Sequence, residues 1–184
     1  MAWQTRCMSF PDFSTLAWWR AIATALIVAL MGSYAQARGG DVPQEFLARV
    51  VHVHDGDTLW VEPEEGGPKI KLRLDGVDAP EICQAGGEAS RDALARHLQD
   101  QPVQVRTRHL DRYGRPLARL KVEEGDVGAW LVREGHAWSY RYQNSSGPYA
   151  MEELLARALR RGLFAQPSEE PRDFRRRHGP CPQR

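Results

Sequence analysis

Cysteine is scarce in this chain of 184 residues, with three in all. Cys7 lies in an N-terminal leader, which leaves Cys83 and Cys181. One bridge is then the most the remainder can form, and two cysteines in an exported chain are expected to form it. An excess of charge is also missing, with 25 Lys and Arg against 24 Asp and Glu. That balance excludes a general polycationic nucleic-acid binder, so any basic surface must be local. Long apolar runs are absent as well. "AIATALIVALMG", Ala21 to Gly32, falls short of the roughly 20 residues that a membrane-spanning helix requires. Arg6 and Arg20 precede it and "AQA", Ala35 to Ala37, follows, which is the pattern of a signal peptide. Residues 1–37 are therefore expected to be cleaved after Ala37 during export to the periplasm or the medium. No stable membrane association is expected afterwards. Cleavage removes two arginines and one aspartate, leaving 23 charges of each sign. No internal repeat is visible. The apolar and charged fractions are those of a folded protein rather than a disordered one.

What remains is well patterned. Residues 38–44 read as a polar lead-in and 45–166 as one domain. From Glu45 to His54, valines alternate with His52 and His54, the mark of a half-buried strand with a polar face. Thr58 to Glu62 reads as its hairpin partner across "HDGD", where Gly56 is expected to supply the positive φ of a tight turn. "KIKLRLDGV" alternates again, with Ile70, Leu72 and Leu74 on one side. "EASRDALARHLQ" has helical spacing. "VQVRTRHL" and "LARLKVE" are two further strands, split by the turn "DRYGRP". "DVGAWLVREGHAW" reads as a short helix stopped by Gly135, and Trp130 and Trp138 are expected in the core. "YAMEELLARALRRGLF" reads as a long helix that buries Met151, Leu154, Leu155, Ala158 and Leu159. Residues 167–184 form a basic, proline-bearing tail, expected to be irregular and tethered by Cys181. Its "RRR", residues 175–177, reads either as solvated or as a nucleic-acid contact. Three strands, a helix, two strands and two helices match a mainly β (α+β) fold, a five-stranded OB-fold barrel with about three packed helices.

The chemistry concentrates at strand ends and turns. Asp57, Asp78 and Glu81 supply three acids, the last two in "RLDGVDAPE", where Pro80 directs an extended turn. Arg73 ends the outward face of a strand, and Arg115 lies in "DRYGR" beside Tyr113. Hard oxygen donors suit Ca²⁺ or Mg²⁺. Guanidinium groups bind phosphate oxygens bidentately and keep their charge at any working pH. A further carboxylate can orient or deprotonate water. Together these are the parts needed to hydrolyse a phosphodiester.

"HDGDT", "RLDGVDAPE" and "DRYGR", in this order and followed by "LVREGHAW", resemble the staphylococcal nuclease family over roughly Phe46 to Phe164. The resemblance implies an OB-fold barrel and Ca²⁺-dependent cleavage of DNA and RNA. By motif position it makes Asp57 and Asp78 side-chain ligands of Ca²⁺ and Ala79 a ligand through its backbone carbonyl. It casts Glu81 as general base or positioner of the attacking water. Arg73 and Arg115 would clamp the scissile phosphate, and Tyr113 would touch a terminal phosphate or sugar. A monomer is expected. The segment after Glu81, "ICQAGGEAS", is shorter than the reference loop and has no lysine. The Cys83–Cys181 bridge offers another way to hold it. Two rival readings share the fold: a non-catalytic nucleic-acid-binding OB module, and a phosphodiesterase for small nucleotides. Tyr140 or Tyr142 could border the groove in any of these.

Overall fold

Alternation along the strands sets the barrel. Leu59 and Val61, Leu72 and Leu74, Val103 and Val105, and Ala118, Leu120 and Val122 are all buried, two residues apart on one face. Strand side chains alternate between faces, so these positions share a single interior. Burying such a side chain contributes about 1.5–3 kcal/mol relative to leaving it exposed. The computed structural model describes residues 44–182. The expected signal peptide, residues 1–37, lies outside them.

The barrel strands are β1 (Glu45–Val53), β2 (Thr58–Pro63), β3 (Ile70–Leu74), β5 (Pro102–Leu110) and β6 (Pro116–Val122). They run in the order β3-β2-β1-β5-β6, and a parallel pairing of β3 with β6 closes the ring. The closure is what builds the site. It sets Arg73 opposite Leu117, two residues beyond Arg115, while β2 sets Thr58 opposite Arg73. Two short strands, β4 (Val77–Asp78) and β8 (Trp138–Ser139), pair antiparallel and fix Asp78 against Trp138. A further short strand, β7 (Gly125–Asp126), extends the sheet beyond β6.

Among the described residues there are four α-helices, in keeping with the expected barrel and packed helices: α1 (Gly87–Leu98), α2 (Val127–Arg133), α3 (Ala150–Ala158) and α4 (Pro171–His178). Leu94 and Leu98 of α1, and Val127, Leu131 and Val132 of α2, join the barrel's core cluster. Asp126 caps α2 by accepting from the Ala129 N–H at 2.8 Å. Gly135 ends it with φ +76°, and a Cβ there would meet the Arg161 carbonyl oxygen at 2.3 Å.

Four expectations are corrected. The long helix stops at Ala158, and a 3₁₀ turn (Gly162–Ala165) follows. Its leucine stripe faces outward: Met151, Leu154, Leu155 and Leu159 are exposed, while Glu153 and Ala156 are buried. Glu153 takes the inward position because its Oε2 accepts the Ser139 N–H at 3.0 Å and its Oε1 pairs with Arg141 and Arg157. The tail is not irregular, since residues 171–178 are α4. Pro171 begins it at the first turn, where a missing N–H does no harm, and Gly179 ends it. Trp138 is core as expected, but Trp130 is only half-buried and stacks on His97 with centroids 3.8 Å apart. His52 and His54 lie on an exposed polar face.

Candidate active site

The turn "HDGD" does two jobs. Asp55 accepts the Asp57 N–H at 3.0 Å, which folds the turn and aims Asp57 inward. Gly56 is required for space rather than for a positive φ. A Cβ there would lie 2.0 Å from Ser90 Oγ and 2.6 Å from the Ala79 Cβ. The turn is thus pressed against α1 and against the segment that carries Ala79.

Asp57 is 3 % exposed. Its Oδ1 accepts from the Thr58 hydroxyl at 3.0 Å and from Arg73 Nη1 at 2.7 Å, and its Oδ2 accepts the Ala79 N–H at 3.1 Å. Arg73 reaches with Nη2 to Asp78 Oδ1 at 3.2 Å, so one guanidinium joins both acids. Asp57 first, and Asp78 after it, raise the Arg73 pKa against the cost of burial. Burial raises the carboxyl of Asp78, and hydrogen bonds from Arg175 oppose it. Asp55 is pushed up to about 7, by burial and then by the neighbouring charge of Asp57.

Arg115 is placed by its own turn. The Asp111 carboxylate accepts the backbone N–H groups of Tyr113 at 2.8 Å and Arg115 at 2.9 Å through Oδ1. Its Oδ2 accepts Arg115 Nε at 2.8 Å. The guanidinium plane is thereby set before any substrate arrives. Tyr113 stands at the tip, 68 % exposed, with the Arg115 guanidinium 5.4 Å from its ring centre.

Asp57, Arg73, Ala79, Glu81, Tyr113 and Arg115 line one cleft of about 750 Å³, and Tyr140 borders it. Asp78 belongs to the same cluster through Arg73. The motifs that are separate in sequence therefore meet. Three side chains join the site beyond the acids and arginines expected there: Asp55 beside Asp57, Asp111 behind Arg115, and Arg175 of α4, which the sequence offers only as solvated or as a nucleic-acid contact. Arg175 donates to both oxygens of Asp78, at 3.2 and 3.0 Å through Nη2, and through Nη1 to Glu81 Oε1 at 2.8 Å. The pattern D-R-Y-G-R, an aspartate opening a glycine turn, could have revealed Asp111. The pairing of Cys181 with Cys83, two residues past Glu81, could have revealed that the tail lies at the site.

In the structure Cys83 and Cys181 are bonded, with Cα atoms 5.8 Å apart. The short loop after Glu81 is held from both sides. Within it, the Glu81 N–H donates to Gln84 Oε1 at 3.2 Å and the Gln84 N–H donates to the Glu81 carbonyl at 2.8 Å. From outside, Gln84 Nε2 donates to the Glu169 carbonyl at 2.7 Å.

Sequence comparisons point the same way as this geometry. Residues 71–166 match the family model described as staphylococcal nuclease homologue. That stretch carries Arg73, Asp78, Glu81 and Arg115. The chain belongs to the staphylococcal nuclease family. It is, with that family, a hydrolase of the endonuclease type. It is 36% identical over 176 residues to a micrococcal nuclease of Shigella flexneri, covering 89% of this chain and 95% of that one. It is 34% identical to Protein ParB of Escherichia coli, covering 85% and 89% of the two chains. It is also 34% identical to an uncharacterized endonuclease of Haemophilus influenzae, covering 70% and 72%.

The donor chemistry of this nuclease fits a divalent metal. Asp57, Asp78 and Glu81 offer hard anionic oxygens at one place, and guanidinium groups now supply the compensating positive charge. Among the described residues, no three His, Cys, Asp or Glu side chains are already gathered as a cage. Arg73 and Arg175 hold Asp57, Asp78 and Glu81 on their own nitrogens.

Proposed function

We propose that the protein is an exported, Ca²⁺-dependent nuclease that hydrolyses DNA and RNA phosphodiester bonds. The observation that carries the reading is the convergence of Asp57, Glu81, Arg73 and Arg115 on one open cleft, with Asp78 joined to them through Arg73. Asp57, Asp78 and the Ala79 carbonyl would hold the ion. Bound Ca²⁺ would supply Lewis-acid polarisation of the phosphodiester.

The side chains do the rest. Arg115, its plane fixed by Asp111, offers a fork that matches two phosphate oxygens. Arg73 adds positive charge from the floor of the cleft. Both stabilise the extra negative charge that builds on the phosphoryl oxygens as water attacks and the P–O ester bond breaks. Glu81, at the rim, orients that water and accepts its proton, the role that a carboxylate within hydrogen-bond reach can play. Tyr113, exposed at the cleft mouth, offers its ring and hydroxyl to the sugar-phosphate chain. Export rests on the leader pattern in residues 1–37, and a monomer is the expected state.

Plasmid DNA and a structured RNA, incubated with the purified protein in Ca²⁺ and in chelator, test the reading. Calcium-dependent cutting that disappears in Glu81→Ala is expected. A folded, calcium-loaded protein that retains single strands without cutting them would instead be a binding module. Turnover of dinucleotides alone would mark a small-substrate phosphodiesterase.

A further inference from the structure

Arg175 has no part in the chemistry above, yet it occupies the middle of the carboxylate cluster. Both of its Nη atoms reach Asp78, and Nη1 also reaches Glu81. Arg73 also pairs with Asp78 but divides its charge between Asp57 and Asp78, so Arg175 is a second cation at this acid. It differs from Arg73 in where it comes from. It projects from an eight-residue helix, and its side chain is 34 % exposed toward the cleft.

That helix is tied down on both flanks. Before α4, Glu169 accepts from Gln84 through its carbonyl at 2.7 Å, and Glu170 accepts from Arg141 at 2.8 Å. After it, Cys181 is bonded to Cys83, two residues from Glu81. A short tether makes Arg175 present at high effective concentration, on the order of millimolar for short linkers, so it rebinds readily after each opening.

A carboxylate with both oxygens committed to a guanidinium cannot give the same lone pairs to a metal ion. We propose that Arg175 is a built-in counter-cation that competes with the divalent metal for Asp78 while also occupying Glu81, the carboxylate given to the attacking water, and that the Cys83–Cys181 bridge strengthens the competition by holding α4 beside the site. The inference rests on the reading that Asp78 binds a divalent cation. Apparent affinity is the intrinsic affinity multiplied by the fraction of molecules in which the site is open. The C-terminal helix would thus set the metal concentration at which the enzyme becomes competent. Metal binding would move Arg175 off the acids.

Calorimetric titration with CaCl₂ alone, without nucleic acid, tests this on the purified wild type, Arg175→Ala, the Cys83→Ser/Cys181→Ser double variant, and Arg176→Ala as a neighbouring charge control. If Arg175 closes the site about nine-tenths of the time, Arg175→Ala tightens Ca²⁺ binding about tenfold. The double variant, which leaves the charges of the site untouched, tightens it by a smaller factor, and Arg176→Ala leaves it unchanged. Hydrogen exchange of residues 171–178 in the wild type should speed up on saturation with Ca²⁺. A long-range charge effect without displacement would not produce that change. Equal Ca²⁺ affinity in wild type and Arg175→Ala, or unchanged protection of α4, overturns the competition while leaving the metal reading in place. Tightening in Arg175→Ala but not in the double variant overturns the role of the bridge. Should Arg175→Ala fail to fold, the double variant and the exchange measurement decide. Absence of Ca²⁺ binding in every protein overturns the metal reading and this inference together.

Discussion

Arg73 and Arg175 grip the same carboxylate from regions 97 residues apart for Arg175 and 5 for Arg73. Arg73 belongs to a barrel strand, is 20 % exposed, and bridges two buried acids. Arg175 belongs to a terminal helix and meets Asp78 and Glu81 from the open side. The difference separates a wall from a door. Ion pairs of nearly equal length have unequal worth when one is sealed by the fold and the other is reached by water.

Removing the wall is the harshest way to break this comparison. Arg73→Ala leaves Asp57 and Asp78 buried without their shared partner, and breaking a buried pair costs about 3–5 kcal/mol. Arg175→Ala removes a pair that water already screens, so about 1 kcal/mol or less is expected. Urea unfolding of the two metal-free variants checks both figures, and equal losses would erase the distinction. Arg115 sharpens it from another side, because its guanidinium is anchored to Asp111 and not to the site's acids. Arg115→Ala should leave stability near that of wild type while lowering kcat about 10²–10³-fold, as for one lost transition-state donor. Single-turnover cleavage of a labelled strand measures it, and a near-normal rate would remove Arg115 from the mechanism.

The last effect, set by pH, concerns Asp55, beside the wall. Its folded pKa, about 7, lies above the unfolded value. As pH rises from about 4 to 7, the unfolded chain releases this proton and the folded protein retains it, so stability falls across that window. Asp55→Asn keeps an acceptor for the Asp57 N–H without the charge. It should melt a few degrees higher than wild type at pH 8, and the gain should vanish below about pH 4. Thermal melts of the metal-free proteins across that range would show it, and a gain independent of pH would refute the cause.

The barrel was legible because its strands alternate and because turn residues separate them. Asp57, Asp78, Glu81, Arg73 and Arg115 were legible because each sits in a turn or strand-end motif of distinctive order. What escaped depended on partners distant in sequence. β4 and β8 are two residues each, too short to show a period. Glu153 reads as a surface acid until Ser139, Arg141 and Arg157 surround it, and that reversal turned the leucine stripe of α3 outward. Residues 171–178 carry so few apolar side chains that no helical stripe appears, and Asp78 and Glu81, which receive Arg175, lie more than 90 residues away. Gly56 looked like a turn glycine because nothing in the sequence places Ser90 against it.

The bridge also imposes an order in time. Cys83 is made 98 residues before Cys181. Every barrel strand, and α1 to α3, precede Cys181 along the chain. The bridge can therefore close only after every strand of the barrel and the helix that carries Arg175 have been made, so the longest loop of the fold is the last to be tied.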